Sequence, residues 1–388
     1  MITRAHHQLA KRFNKYPLRV VINDLLLEIL ELLFTEEEAS IASRFPMKQE
    51  TSAKIAKLVK RPEAEMRPIL DRMAEKGLIH YYGDGPARKY MILAFVPGLF
   101  ESFMWTNPSS EKTKRFAKLF DEYFLTSGYM PNLIRRDNTT FRIIPVEKAV
   151  KNNIGAVPGD LVRGIIDQHE VFSLSHMCAC RNQKELIGEG CGKPKDVCIH
   201  LGPMAMLDIK NGYGRKVSKE EILEAADRAE EAGLIHFADN VERPLIICNC
   251  CVCCCGGFTT LSRYNMPATF VNSRYIVKHD VKKCKTCGDC AKACPMGATH
   301  VFGKKLIFES TRCIGCGNCV PKCKSNAIEM ALRNDCRPIP QNYGQLIADL
   351  TTQYFGIQRL SDQYFPGLTR SFGNMINRKI KKRYKYAP

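Results

Sequence analysis

Thiols dominate the chemistry open to this sequence. The stretch CNCCVCCC carries Cys248, Cys250, Cys251, Cys253, Cys254 and Cys255, and the earlier segment HMCACRNQKELIGEGCGKPKDVC carries Cys178, Cys180, Cys191 and Cys198. A third region uses one spacing twice: CKTCGDCAKACP from Cys284 and CIGCGNCVPKC from Cys313 both follow C-x2-C-x2-C-x3-C. So dense a set has three uses: cross-links, structural zinc, or iron and sulfide held for redox work. The opening MITRAHHQLAKRF lacks the apolar region of a secretion signal, and no apolar run reaches membrane-spanning length. A cytoplasmic chain is expected, where disulfides are rare. The odd total of 19 cysteines also leaves one unpaired under any disulfide scheme. Metal binding is the expectation, and zinc, which favours two spaced pairs, suits two runs of four poorly.

The repeat resembles the bacterial ferredoxin domain that holds two 4Fe-4S clusters. The resemblance implies that Cys284, Cys287, Cys290 and Cys323 bind one cluster, and Cys313, Cys316, Cys319 and Cys294 the second. Three close cysteines wrap one cubane, while the fourth, farther along a helix, reaches the other. Gly288, Gly315 and Gly317 let backbone N–H groups approach the sulfurs, which stabilises the reduced, more negative state. Lys324 follows Cys323 where the family pattern has proline, a departure that bears on the local turn and on the first cluster's potential.

Outside the repeat, Cys336 stands alone and reads as an ordinary semi-buried thiol. If the CNCCVCCC stretch is extended, Cys248, Cys250 and Cys254 share one face and Cys251, Cys253 and Cys255 the other. Three thiolates per face are one short of a cubane on each side, and the group Cys178, Cys180, Cys191 and Cys198 could complete them. In the alternative, each group holds its own cluster with two thiols spare. One or two further iron–sulfur clusters are therefore expected here, with an unusual cluster or a reactive thiol left open. Zinc is the remaining alternative, although adjacent Cys-Cys pairs pointing apart suit a single ion poorly. His176 is a candidate ligand, against the commoner local hydrogen-bonding role. Arg181 is a candidate partner for an anionic cluster or substrate, against the default of a surface arginine.

The elements that must position these thiols read as a multidomain α+β chain. Its 388 residues, 45% apolar, are globular in composition and long enough for several domains. Residues 1–105 read as three helices and a hairpin. Pro17 opens a helix to Phe34, Thr51 caps a second, and Pro62 takes the first position of a third that ends before Gly77; two strands then flank Gly83-Asp84-Gly85. That order resembles a winged helix-turn-helix domain. Glu63 and Glu65 at the head of the third helix, with only Arg88 and Lys89 on the wing, favour a protein-docking module and argue against nucleic acid.

Residues 106–275 form a cysteine-rich middle domain whose clear element is a helix running from the Ser218/Glu221 capping box to Gly233. Residues 276–332 are the ferredoxin-like segment, of βαββαβ type by its resemblance, and 333–388 a basic tail. There Arg370, Arg378, Lys379, Lys381, Lys382, Arg383 and Lys385 accompany Leu368, Phe372, Met375, Ile376 and Ile380 at helical spacing. The pattern predicts an amphipathic helix for an anionic membrane surface or an acidic partner. The formal charge of +18 counts cysteines as neutral. Each oxidised four-iron cluster with its thiolates carries about −2, which removes much of that excess.

Taken together, a winged-helix start, the CACR segment, the ICNCC.CCC segment and a terminal dicluster ferredoxin resemble multidomain ferredoxin-type proteins of anaerobic bacteria. The resemblance implies iron–sulfur electron transfer with redox partner proteins. The expected function is to relay low-potential electrons between a donor and a partner oxidoreductase, in the cytoplasm or peripheral to the inner membrane. The alternatives are a reductase with its active centre among the cysteines of 176–255, and a redox-sensing DNA-binding regulator.

Overall fold

A computed structural model describes residues 1–16, 18–46, 48–127, 129, 139–150, 157–263 and 271–355. The basic tail expected after Asp362 lies outside the described residues. Among those described, no helix is long and apolar enough to cross a membrane.

The N-terminal part is mostly helical, with helices Arg4–Phe13, Asp24–Leu33, Glu36–Ser43, Ser52–Val59 and Glu63–Glu75 before Gly77. Short strands β1 (Glu50–Thr51), β2 (His80–Tyr82) and β3 (Lys89–Met91) pair antiparallel in the order β1-β3-β2. Two corrections to the sequence reading follow. Residues 18–23 are not helical, and the helix placed from Pro17 starts at Asp24, where the Asn23 side chain accepts the Leu26 N–H. Pro62 is the N-cap, one residue before the first helical position. Thr51 caps as expected. Helix Arg4–Phe13 was missed because its charged sequence hides a narrow stripe, Leu9, Ala10 and Phe13, that is fully buried.

Helices Leu99–Thr106 and Glu111–Thr126 extend the same apolar core. Phe100 and Phe120 stack there at 4.0 Å between ring centroids. Helix Ala179–Leu186 docks on this pair of helices. Asn182 donates to the Pro108 carbonyl at 2.8 Å, Gln183 to the Ala117 carbonyl at 3.0 Å, and buried Lys184 pairs with Asp121 at 2.7 Å.

Strands β4 (Phe141–Ile144), β5 (Phe172–Ser175), β6 (Ile199–Leu201), β7 (Gly214–Val217), β8 (Ile235–Asp239) and β9 (Ile246–Cys250) form one antiparallel sheet in the order β4-β8-β9-β6-β5-β7. One face packs on helix Lys219–Glu231 through Ile222, Ala225 and Ala226. That helix opens with the expected capping box, Ser218 accepting the Glu221 N–H and Glu221 the Ser218 N–H. The ferredoxin-like segment pairs β10 (Tyr275–His279) with β13 (Ile328–Leu332) and β11 (Thr299–Phe302) with β12 (Lys305–Phe308). It is fastened to the sheet by Val146 N–H donating to the Cys316 carbonyl and by Asn318 donating to the carbonyls of Gly233 and Leu234. Helix Tyr343–Phe355, inside the segment read as a tail, packs Leu346 and Leu350 on Val241.

Gly77 closes helix Glu63–Glu75 at φ +72°, and a Cβ there would stand 2.6 Å from the Ser102 carbonyl oxygen. Gly83 has nearly the same φ, +71°, but its nearest neighbour would be 3.8 Å away. Gly77→Ala should therefore lose about 2–3 kcal/mol in anaerobic denaturant titration, against about 1 kcal/mol for Gly83→Ala. Equal losses would mean that the close approach adds nothing to the backbone strain.

Candidate iron–sulfur and metal centres

The repeated cysteines fold into two sets. Burial raises Cys313, pushes Cys316 up to about 12 and raises Cys319, and all three also feel the charge of Cys294. Cys290 is raised by burial and by the charges of Cys323 and Cys284. The structure thus brings Cys294 to the later trio and Cys323 back to the earlier one. Backbone N–H groups aim at the sulfurs: Ala298 donates to Cys294 at 3.2 Å, Ala327 to Cys323 at 3.2 Å and Thr286 to Cys284 at 3.4 Å. Such donors hold negative charge on sulfur in a water-poor site, which fits an anionic iron–sulfur cluster. Gly315 (φ +69°) permits the approach, since a Cβ would meet the Tyr275 carbonyl oxygen at 2.1 Å. The sets differ in depth. Cys287 is exposed and Cys284 and Cys323 partly so, whereas Cys313, Cys316 and Cys319 are buried.

The middle cysteines also form two sets, but each mixes residues from both sequence groups. Cys178 caps helix Ala179–Leu186 and Cys180 lies in its first turn; Cys198 precedes β6; Cys248 and Cys250 are alternate residues of β9; Cys255 precedes helix Gly256–Arg263. Neighbouring thiols interact in sequence around a ring: Cys198 with Cys178, Cys178 with Cys180, Cys180 with Cys255, Cys255 with Cys250, and Cys250 with Cys248. The charge of Cys248 reaches Cys198 and closes it. These six thiols line a largely apolar cavity of about 270 Å³.

The second set is Cys191, Cys251, Cys253 and Cys254, whose sulfurs all lie within 4.8 Å of one another. Cys191 and Cys251 are 3.9 Å apart, and Cys253 and Cys254 3.8 Å.

The alternation expected for 248–255 is corrected at its end. Cys248 and Cys250 do share the cavity side, but β9 stops at Cys250 and the chain turns, Cys255 N–H bonding the Cys251 carbonyl at 3.1 Å. The turn sends Cys255 to the ring and Cys254 to the tetrad, the reverse of the extended pattern. It also points the adjacent thiols of Cys253 and Cys254 toward each other rather than apart.

Arg181 stands between the sets, 3% exposed, and not at the surface as its default reading had it. Its Nη1 donates to the Asn249 carbonyl at 2.8 Å and lies 3.9 Å from the Cys251 sulfur, while Nε and Nη2 have no hydrogen-bond partner among the described residues. Burial works against its charge, but the charges of Cys178, Cys198 and Cys251 outweigh burial and raise its pKa. In turn, hydrogen bonds from Cys180 and Cys198 hold the Cys178 thiol well below its ordinary range. The Cys254 thiol does the same for Cys251, down to about 5. His176 is exposed, outside both sets, with its backbone N–H on the Tyr213 carbonyl. Cys336 is exposed rather than semi-buried.

Several cavity residues carried no signal in the sequence. Trp105 stacks edge-on against His200, which faces Asp208 at 3.2 Å. Glu101, pushed up to about 7 by burial, accepts the Gly98 N–H at 2.6 Å. Each reads locally as an ordinary helix or strand residue, and only the tertiary fold brings it to the thiols.

Residues 276–324 match the family model of the 4Fe-4S dicluster domain. The chain carries a ferredoxin-type iron–sulfur domain. A ferredoxin of Rickettsia felis is 36% identical over 55 residues, which is 14% of this chain and 50% of that protein. The chain therefore covers about half the length of this curated relative. No solved structure matches the chain. The match supports iron–sulfur clusters as cofactors of residues 276–324.

The pairing of Cys294 with the later trio has a spectroscopic consequence. The signal lost in Cys294→Ala should be the one lost in Cys316→Ala, not the one lost in Cys287→Ala, by Mössbauer and EPR spectroscopy of the anaerobic full chain. Loss of the Cys287 signal in Cys294→Ala would refute the cross-over.

Proposed function

We propose that the chain relays low-potential electrons between redox proteins of anaerobic metabolism, through three thiol sets arranged from surface to interior. Clusters bound at these sets would supply one-electron transfer. The observation that carries the reading is a single apolar cluster containing Cys316 and Cys294 of the ferredoxin-type domain together with Cys250, Cys248 and Cys255 of the ring. Phe237, Phe258, Met296 and Ile314 fill the space between them and exclude water. Exposed Cys287, by contrast, marks the face that a partner protein can approach. Cys284, Cys287, Cys290 and Cys323 would hold the outer cluster, Cys313, Cys316, Cys319 and Cys294 the inner one, and the ring a further iron–sulfur centre.

The N-terminal part serves in this reading as a docking module of winged-helix type. The strand order β1-β3-β2 behind helices Ser52–Val59 and Glu63–Glu75 supports that. Three of the groups that would meet a nucleic acid are already engaged: Glu63 accepts from Ser52, Glu65 pairs with Arg61, and Arg88 pairs with Asp71. A reductase is the second reading, favoured by the cavity, where Glu101, His200 and Trp105 stand with the ring thiols around space for a small substrate.

A reduced two-cluster bacterial ferredoxin is a suitable probe donor. In anaerobic stopped flow it should reduce the ring centre of the full chain, and that phase should disappear in Cys294→Ala/Cys316→Ala while a small reductant still drives it. An unchanged rate in the double variant would overturn the relay.

A further inference from the structure

We infer that Cys191, Cys251, Cys253 and Cys254 bind a single tetrahedral ion, zinc, and take no part in iron–sulfur chemistry. The distances carry this. A zinc–thiolate bond of about 2.3 Å places the four sulfurs of a tetrahedral site about 3.8 Å apart. Two pairs here are 3.9 and 3.8 Å apart, and all four sulfurs lie within 4.8 Å of one another. A 4Fe-4S cluster sets a cube of iron and sulfide between its thiolates and holds them about 6 Å apart. The other thiol sets of the molecule provide a contrast. Among the described residues, neither the ferredoxin-type sets nor any three thiols of the ring close to 4.8 Å, and the tetrad does.

The surrounding chain fits a structural ion. Cys251, Cys253 and Cys254 lie on the tight turn after β9, and Cys191 reaches them from the loop between helix Ala179–Leu186 and β6. Three ligands within four residues converge on one small volume, which suits a single ion. Beneath the tetrad, Val197, Ala229 and Leu234 pack against Cys251 and Cys254 in a small apolar cluster. Four thiolates around a divalent cation leave a double negative charge, and the buried Arg181 guanidinium, 3.9 Å from the Cys251 sulfur, offsets part of it. Pinning this loop to this turn fixes Cys198 on one side and Cys255 on the other, both members of the ring. Zinc is redox-inert, so the tetrad holds the shape of the electron-carrying site without titrating with it.

The test uses the full chain produced in medium containing both iron and zinc, purified without oxygen. Metal analysis should find one zinc per chain, and zinc-edge X-ray absorption should fit four sulfurs at about 2.3 Å with no metal neighbour. Cys191→Ser/Cys253→Ser should lose the zinc and keep its ferredoxin-type EPR signals, which report that the variant has folded. Absence of zinc from the wild-type chain, an oxygen- or nitrogen-rich shell, or loss of about four irons in the variant with no change in zinc would each overturn the assignment. The inference does not rest on the relay: iron and sulfide at the remaining cysteines are counted on the same sample, so either reading can fail alone.

Discussion

Strand β9 runs through the middle of the six-stranded sheet, paired with β8 through Phe237↔Cys248 and Ile235↔Cys250 and with β6 through Ile199↔Ile247. Pleating makes its side chains alternate, so Cys248 and Cys250 face the cavity. Ile247 joins the core beneath helix Lys219–Glu231, and Asn249 bonds His236 and the Val197 carbonyl. A slip of one residue would bury the thiols in the aliphatic core and turn Ile247 and Asn249 toward the other cysteines. The buried Asn249–His236 pair resists that slip, because its polar atoms would lose their partners. Both middle thiol sets depend on this register, since the tetrad begins one residue after the strand ends.

Helix Ala179–Leu186 is the second fixed point. Its first turn carries Cys180 and Arg181, and its remaining surface is bonded through Asn182, Gln183 and Lys184 to the N-terminal helices. One short element therefore ties the ring to the helical part above it. Arg181 earns its burial electrostatically: an unpaired guanidinium in this environment would be costly, but thiolates on both sides compensate it. Metal ions bound at these thiols would add positive charge to the same region, and the guanidinium would then share its anions with them.

Local signals were legible in the sequence and long-range ones were not. The C-x2-C-x2-C-x3-C repeat places three cysteines of each set within seven residues, and the caps at Thr51 and Ser218 act across a single turn. The middle sheet escaped because its strands have only three to five residues and pair out of chain order. The division of thiols depends on where β9 stops, and alternation cannot announce its own end. Arg181 reads as a surface residue because nothing in CACRNQKEL shows that both flanks of the helix are covered. In the opening segment, a polar composition concealed helix Arg4–Phe13, and Asn23, not Pro17, supplied the start of the next helix.

The cavity has a roof and a floor of different ages. Phe100, Glu101, Trp105, Phe120 and Phe124 cover it from above, while Cys248, Cys250 and Cys255 form its base more than a hundred residues later in the chain. During synthesis the roof leaves the ribosome first and can fold on its own aromatic core. The ring is complete only after Cys255 has emerged and β9 has paired between β8 and β6. Whatever is loaded into the ring cannot meet all six thiols before Cys255 has emerged. The topology sets an order of synthesis: the roof is made before the floor that completes the ring.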